Sequence, residues 1–268
     1  MEITRFTPST SGEHLFHLLV NEVIGVRTPH SLRSLSILEF GGRSDDFSNY
    51  FVGVTALNLL ARLIKKAERI SNIDDASLHH GSFVHYLLET IEMTKQGDDL
   101  VDRVARLSLD AARNSKRPIK DSAKKEVRAN RTEVPCYLCG IMCSHQSDDP
   151  RSAIMYEHIW PSSYGGDSVA ENLLPACWQC NEKKDDMLLW HTGAIFSVVL
   201  KPEPSEEEIK SIGRREKIAR RIQDIIRIAN EGKLSLKDAA LALGPANFSS
   251  INPLNAADAI DYFNFSFS

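Results

Sequence analysis

The stretch that decides the fold reads CYLC at residues 136–139 and CWQCNEKK at residues 177–184. It contains two Cys-x-x-Cys pairs in a chain that has only five cysteines. Four thiolates at this spacing satisfy the tetrahedral coordination of one Zn²⁺ ion and leave no position open, as in structural zinc sites. The sequence therefore predicts a structural zinc ion held by four cysteines, with Cys143 as a bystander. The predicted ligands are Cys136, Cys139, Cys177 and Cys180.

The insert between the two pairs is longer than a zinc ribbon needs. It covers residues 140–176, whereas a simple ribbon separates its pairs by about 15–20 residues. Within it the sequence reads YEHIWP at 156–161, GG at 165–166 and NLLP at 172–175. Glu, His and Asn are residue types that supply a general base and oxygen ligands for a divalent ion. The insert therefore has room for a second site.

In the order of these motifs the segment resembles the HNH endonuclease family. The similarity is to the subgroup whose ββα-metal, or treble-clef, finger also carries a four-cysteine structural zinc. It covers about fifty of the 268 residues. The resemblance implies a metal-dependent endonuclease that hydrolyses phosphodiester bonds, in DNA rather than RNA, by nicking or by double-strand cleavage.

The resemblance also implies the roles of four side chains. His158 is the implied general base, since a neutral imidazole accepts a proton near pH 7. Glu157 and Asn181 are the implied ligands of a catalytic Mg²⁺ or Mn²⁺ ion, which prefers oxygen ligands. Asn172 is implied to hold the loop that carries the base. Glu157 departs from the Asp or His that is more common at its position.

A basic stretch precedes the first cysteine pair. Between residues 113 and 131, eight Lys and Arg residues face two acidic ones, in a chain whose net charge is −4. Such a stretch predicts contact with backbone phosphates, although charge runs are also typical of a solvated linker helix. The candidate nucleic-acid contacts are Lys124, Lys125 and Arg128 in this stretch, and Lys183 and Lys184 after the second cysteine pair.

Apolar periodicity predicts helices on both sides of the finger. Two of the stripes are Leu57, Leu60, Ile64 and Ala67, and Leu100, Val104 and Leu107. The predicted fold class is α+β, mainly α, with helical N-terminal and C-terminal regions around a small zinc-stabilised ββα-metal finger. The predicted parts are a helical N-terminal domain (1–112), a basic linker helix (113–133), the HNH zinc-finger nuclease domain (134–200) and a helical C-terminal region with an aromatic tail (201–268).

The helix predicted after residue 205 has a second basic surface. It carries Arg214, Arg215, Lys217, Arg220, Arg221 and Arg227 opposite its isoleucines. Contact with nucleic acid and a solvated helix face are both compatible with this pattern.

The composition limits the class of protein and its cellular compartment. A hydrophobic share of 42% and a charged share of 25% are typical of a soluble globular chain. Clustered cysteines without an export signal indicate a reducing cytoplasm, and no apolar run is long enough for a membrane span. The helical flanks are compatible with the nuclease subunit of an antiphage-defence, restriction or mobile-element complex, with a partner such as an ATPase. The alternative function is a non-enzymatic zinc module that binds nucleic acid or protein.

Overall fold

The computed structural model describes residues 4–24, 44–73, 75–147, 149, 152–188 and 206–248. Helices make up most of it. Before the finger lie α1 (Ser11–Leu18), a π-helical turn (Leu19–Ile24), α2 (Ser44–Ser71), α3 (His79–Glu89), α4 (Asp98–Ser115) and α5 (Asp121–Val127). After it lie α7 (Glu206–Gly232) and α8 (Leu236–Leu243). The predicted class, mainly helical α+β, is confirmed. The aromatic end of the tail, residues 262–268, lies outside the described residues.

The finger consists of two small sheets and one helix. Strands β1 (Glu133–Pro135) and β2 (Met142–Ser144) form an antiparallel hairpin. Strands β3 (Met155–His158) and β4 (Leu173–Ala176) form a second antiparallel pair, in which Glu157 lies opposite Leu174 and His158 opposite Leu173. Helix α6 (Trp178–Lys184) follows β4 directly. The order β3, β4, α6 is the ββα arrangement that the sequence predicts.

The N-terminal helices pack through their apolar faces. On α2 the predicted stripe Leu57, Leu60, Ile64 and Ala67 is buried as expected. On α4 the buried face is Val101, Val104, Ala105 and Leu109, whereas Leu100 and Leu107 are only partly buried against it. The predicted α4 stripe is therefore confirmed at Val104, and the most buried face of the helix also includes Val101, Ala105 and Leu109.

Helix α1 begins with a capping box. The Thr10 hydroxyl accepts a hydrogen bond from the Glu13 backbone N–H, and the Glu13 carboxylate accepts one from the Thr10 N–H at 2.7 Å. The same carboxylate oxygen accepts from the Ser9 N–H and hydroxyl. Reciprocal capping satisfies backbone donors that a helix start otherwise leaves unpaired. It fixes where α1 begins, and α1 is one of the helices that contact the finger.

Helix α1 docks on the Gly-Gly loop of the finger. The Gly12 N–H donates to the Gly165 carbonyl at 2.9 Å, and a side-chain carbon on Gly12 would lie 2.2 Å from the Tyr164 carbonyl oxygen. Gly165 itself has φ near +77°, which favours glycine. The Ser11 hydroxyl also donates to the Asp167 carboxylate at 3.1 Å. Both glycines are therefore required by close backbone packing between two distant parts of the chain.

The C-terminal helices cover the other side of the finger. Helix α7 packs on α6, and α8 packs on α7. After α8, the Ala246 N–H donates to the Leu138 carbonyl in the first cysteine pair at 2.9 Å. Buried residues of the N-terminal helices, the finger and α7–α8 form one continuous hydrophobic cluster. The proposed division into four parts stays a prediction; α4 runs across the predicted boundary at residue 112 to Ser115.

Among the helices of the described ranges, none combines the length and apolar character needed to cross a bilayer.

Candidate metal and nuclease site

The two cysteine pairs meet in one cluster. Cys136 and Cys139 flank the turn between β1 and β2, and Cys177 and Cys180 lie at the start of α6. Their four sulfur atoms all lie within 4.8 Å of one another. The first pair is closed by two backbone hydrogen bonds, from the Cys136 N–H to the Ile141 carbonyl and from the Gly140 N–H to the Cys136 carbonyl.

The geometry of the cluster fits a tetrahedral zinc ion. With Zn–S bonds of about 2.3 Å, sulfur atoms at the corners of a tetrahedron lie about 3.8 Å apart. The sulfurs of Cys139 and Cys177 are 3.7 Å apart. The thiolate is the form of cysteine that binds zinc. Cys143 stays outside the cluster, and burial raises the pKa of its thiol to about 12.

Arginine from a distant helix contacts this cluster. Arg214 of α7 donates a hydrogen bond from Nη1 to the Cys180 sulfur at 3.4 Å, and its guanidinium lies 6.0 Å from the Phe248 ring centroid. Four thiolates around Zn²⁺ leave a net negative charge, which a neighbouring guanidinium offsets. Sequence spacing gave no sign of this contact, because it joins positions 34 residues apart across two helices.

A pocket of about 630 Å³ opens at the far end of α6. Glu157, His158 and Asn181 all line it, so the structure brings three of the predicted site residues to one cavity. The rest of its lining is Tyr156, Pro161, Ser162, Ser163, Glu182, Asp185 and Asp186. Sequence reasoning missed the carboxylates Glu182, Asp185 and Asp186, although two of them directly follow the CNEKK motif.

The Glu157 carboxylate is buried and paired. Its Oε1 accepts a hydrogen bond from the Lys184 ammonium at 2.6 Å, and the Glu157 residue is only 6% exposed. Burial raises the pKa of Glu157, and the Lys184 charge opposes that rise. Lys184 itself is 1% exposed and also donates to the His158 carbonyl at 2.7 Å. The structure therefore departs from the expectation that Lys184 contacts phosphate, because its ammonium group is buried and hydrogen-bonded inside the finger.

The His158 imidazole stands at the end of β3. Its Nε2 shares a hydrogen bond of 3.1 Å with the Ser168 hydroxyl. Burial, and then the nearby Lys184 charge, lower the pKa of His158 below its ordinary value. A lowered pKa favours the neutral ring, which is the form that can accept a proton. No spacing rule pointed to Ser168, which lies ten residues further along the chain.

The two asparagines occupy different places. Asn172 is buried, and its side chain brackets the loop after His158: Oδ1 accepts from the Trp160 N–H at 2.8 Å, and Nδ2 donates to the Trp160 carbonyl at 2.9 Å. Nδ2 also donates to the Asp167 carbonyl at 3.1 Å. Asn181 follows Cys180 on α6 and lines the pocket. The geometry thus separates a loop-holding amide from a pocket-facing one.

The basic residues predicted to contact nucleic acid differ in exposure and in pairing. Lys125 and Lys183 are exposed. Lys124 pairs with Asp121 at 3.3 Å, and Arg128 donates to the Arg131 carbonyl at 3.1 Å.

Three of the six residues of the basic surface on α7 make contacts with the body of the protein. Arg214 reaches Cys180, Lys217 donates to the Phe248 carbonyl, and Arg221 donates to the Leu243 carbonyl. Arg227 pairs with Asp224 at 3.3 Å on its own helix. These contacts assign Arg214, Lys217 and Arg221 a structural role, and nucleic-acid contact by this surface stays a prediction.

The site is thus a ββα finger with a four-cysteine cluster that could hold zinc at one end of α6 and a His- and carboxylate-lined pocket at the other. Residues 136–187 match the family model of the HNH endonucleases. The match and the four-cysteine cluster confirm the resemblance that the motif order predicts. No curated protein and no solved structure shows significant similarity to the chain.

Proposed function

We propose that this protein is an HNH-type, metal-dependent endonuclease that hydrolyses phosphodiester bonds in DNA. One observation carries the proposal: Glu157, His158 and Asn181 line a single pocket within the segment that matches the HNH family. A zinc module without catalysis would need the cysteine cluster but would not need a neutral imidazole beside two oxygen donors.

Each of these residues has a separate role in the proposed reaction. His158 accepts the proton of the attacking water, with its ring oriented by Ser168 and its loop held by Asn172. The Glu157 carboxylate and the Asn181 amide oxygen would hold Mg²⁺ or Mn²⁺, whose preference for hard oxygen ligands they fit. When bound, that ion would polarise the phosphate and stabilise the leaving oxygen.

The pocket lining supports a requirement for a divalent cation. With Glu157 paired to Lys184, three further carboxylates remain at the pocket, those of Glu182, Asp185 and Asp186. These carboxylates repel the negatively charged phosphodiester unless a cation lies between them. A pocket of this charge therefore favours substrate binding with a divalent ion over binding of phosphate alone.

The exposed lysines on either side of the finger are the proposed DNA contacts. Helix α5 packs against β4 and the turn Ala170–Asn172, which places Lys125 close to the finger. Lys183 is exposed on α6. Together with Lys124 and Arg128, these side chains would neutralise backbone phosphates. Replacing Lys125 or Lys183 with Ala should weaken DNA binding for all sequences and reduce the salt-dependence slope by about 1 each. An unchanged slope for both variants would remove them from the interface.

Plasmid cleavage by zinc-loaded protein tests the proposal. Nicking should require added Mg²⁺ or Mn²⁺, and His158→Ala should lower the rate about 10²–10⁴-fold while zinc content and DNA binding stay unchanged. His145→Ala, at an exposed histidine of the same finger, is the matched control and should cut at the wild-type rate. Wild-type cleavage by His158→Ala would show that His158 is not the base. A band shift with no cleavage under any metal would favour the zinc module.

The setting of the reaction is part of the proposal. Four clustered thiols suit a reducing cytoplasm. The helices around the finger suit a subunit of an antiphage-defence, restriction or mobile-element complex, with a partner such as an ATPase. Recovery of a stable partner with the tagged protein would support this setting, and full activity of the isolated monomer would argue against it.

A further inference from the structure

Lys184 is buried beneath the pocket. It ends helix α6, its side chain is 1% exposed, and its ammonium makes two short hydrogen bonds, to Glu157 Oε1 at 2.6 Å and to the His158 carbonyl at 2.7 Å. Taking an ammonium out of water costs several kcal/mol, so a buried lysine persists only where its partners compensate. Here the partners are two consecutive residues of β3, both of which line the pocket.

The Lys184 contact engages only one of the two oxygens of the Glu157 carboxylate. Oε1 is held by Lys184, whereas Oε2 has no hydrogen bond to any residue in the described part of the chain. Glu157 is part of the pocket wall. One oxygen therefore remains for a ligand in the pocket, and the other is tied to the protein.

The second contact acts on the backbone at the end of β3. Strand β3 ends at His158, and the chain bends at Ile159 and Trp160. The Lys184 ammonium binds the His158 carbonyl at this strand end. The Lys184 ammonium thus holds both the Glu157 carboxylate and the backbone of His158.

We infer that Lys184 is a positioning residue: a built-in counter-cation that confines Glu157 to one free oxygen for the divalent ion and holds the His158 backbone in place. The inference rests on the proposed metal-dependent function. Lys184 touches neither substrate nor the reacting atoms and acts only through Glu157 and His158.

Thermal unfolding of the full-length, zinc-loaded chain tests the inference without activity. Lys184→Met leaves a buried carboxylate without a partner, so without Mn²⁺ its Tm should fall by about 10 °C. Added Mn²⁺ then becomes the counter-ion and should raise the Tm of Lys184→Met by about 5 °C more than that of the wild type. In the double variant Lys184→Met/Glu157→Gln this extra Mn²⁺ effect should vanish. Lys65→Met, at an exposed position of α2, should show the Tm and the Mn²⁺ shift of the wild type.

Lys184→Arg provides a second measurement if the methionine variant does not fold. A guanidinium engages both oxygens of a carboxylate, so it should occupy Oε2 as well and weaken Mn²⁺ binding about tenfold in a calorimetric titration. Equal Mn²⁺ shifts in Lys184→Met and wild type, or unchanged Mn²⁺ affinity in Lys184→Arg, would overturn the inference. The plasmid assay is independent: if Mn²⁺ binds as described but no variant and no wild type cleaves DNA, the proposed nuclease function fails while the role of Lys184 stands.

Discussion

The two ends of helix α6 form two sites by different means. At its start, Cys177 and Cys180 complete a cluster whose four ligands are all of one residue type and come in two local pairs. At its end, Lys184 crosses to β3 and sets the charge and orientation of Glu157 and His158. The first site follows from spacing, and the second depends on burial and on contacts between distant segments. The difference teaches that a mutation in the pocket can leave the cysteine cluster intact, whereas loss of the cluster removes the finger that carries both sites.

The largest effect is expected at the cysteine end. Cys136→Ala or Cys177→Ala should abolish zinc binding and unfold the finger, because zinc supplies about 10–16 kcal/mol of apparent free energy to such small units. Zinc content by atomic absorption and near-ultraviolet circular dichroism measure the loss. Cys143→Ala, outside the cluster, should keep both signals. Loss of zinc with the fold and cleavage retained would mean that the two ends of α6 are not coupled at all.

A smaller effect is expected where α1 meets the pocket end. Gly12→Ala places a carbon 2.2 Å from a backbone oxygen in the loop after His158 and should destabilise the protein by about 3 kcal/mol, with reduced cleavage and unchanged zinc content. The sign of the change is decisive, since Gly→Ala within a helix stabilises by about 1 kcal/mol when space is free.

Gly81→Ala is the matched control for that substitution. Gly81 lies in α3, and a side-chain carbon there meets nothing within 4 Å. Denaturant unfolding should therefore show a gain in stability for Gly81→Ala and a loss for Gly12→Ala. Gains in both would show that the pocket end does not depend on its contact with α1.

The smallest effect is expected for the arginine behind the cluster. Arg214→Met removes the hydrogen bond to the Cys180 sulfur and a compensating charge, so zinc should be lost to a competing chelator about tenfold faster. Arg215→Met, at the exposed next position, should release zinc at the wild-type rate. Equal zinc-release rates for the two variants would show that zinc retention depends on the four cysteines alone, without help from a distant helix.

Sequence reasoning worked where chemistry and geometry are local. The spacing of the cysteine pairs predicted the cluster, and the motif order predicted the ββα finger and the residues that line its pocket. The α2 stripe was correct because four apolar side chains at helical spacing leave one possible buried face. On α4 the predicted stripe shares only Val104 with the most buried face, because Val101, Ala105 and Leu109 offer a second apolar face on the same helix.

By itself, then, the sequence predicted the four-cysteine cluster, the helical class and the family model that residues 136–187 match, because each depends on residue types at short, fixed separations. Only the tertiary structure decided that Lys184 pairs with Glu157 inside the finger, that Arg214 contacts the cysteine cluster, and that Gly12 seats α1 on the loop after His158. The reason is physical: whether a charge faces solvent or a buried partner depends on which distant segments exclude water from it, and no local pattern of residues records that.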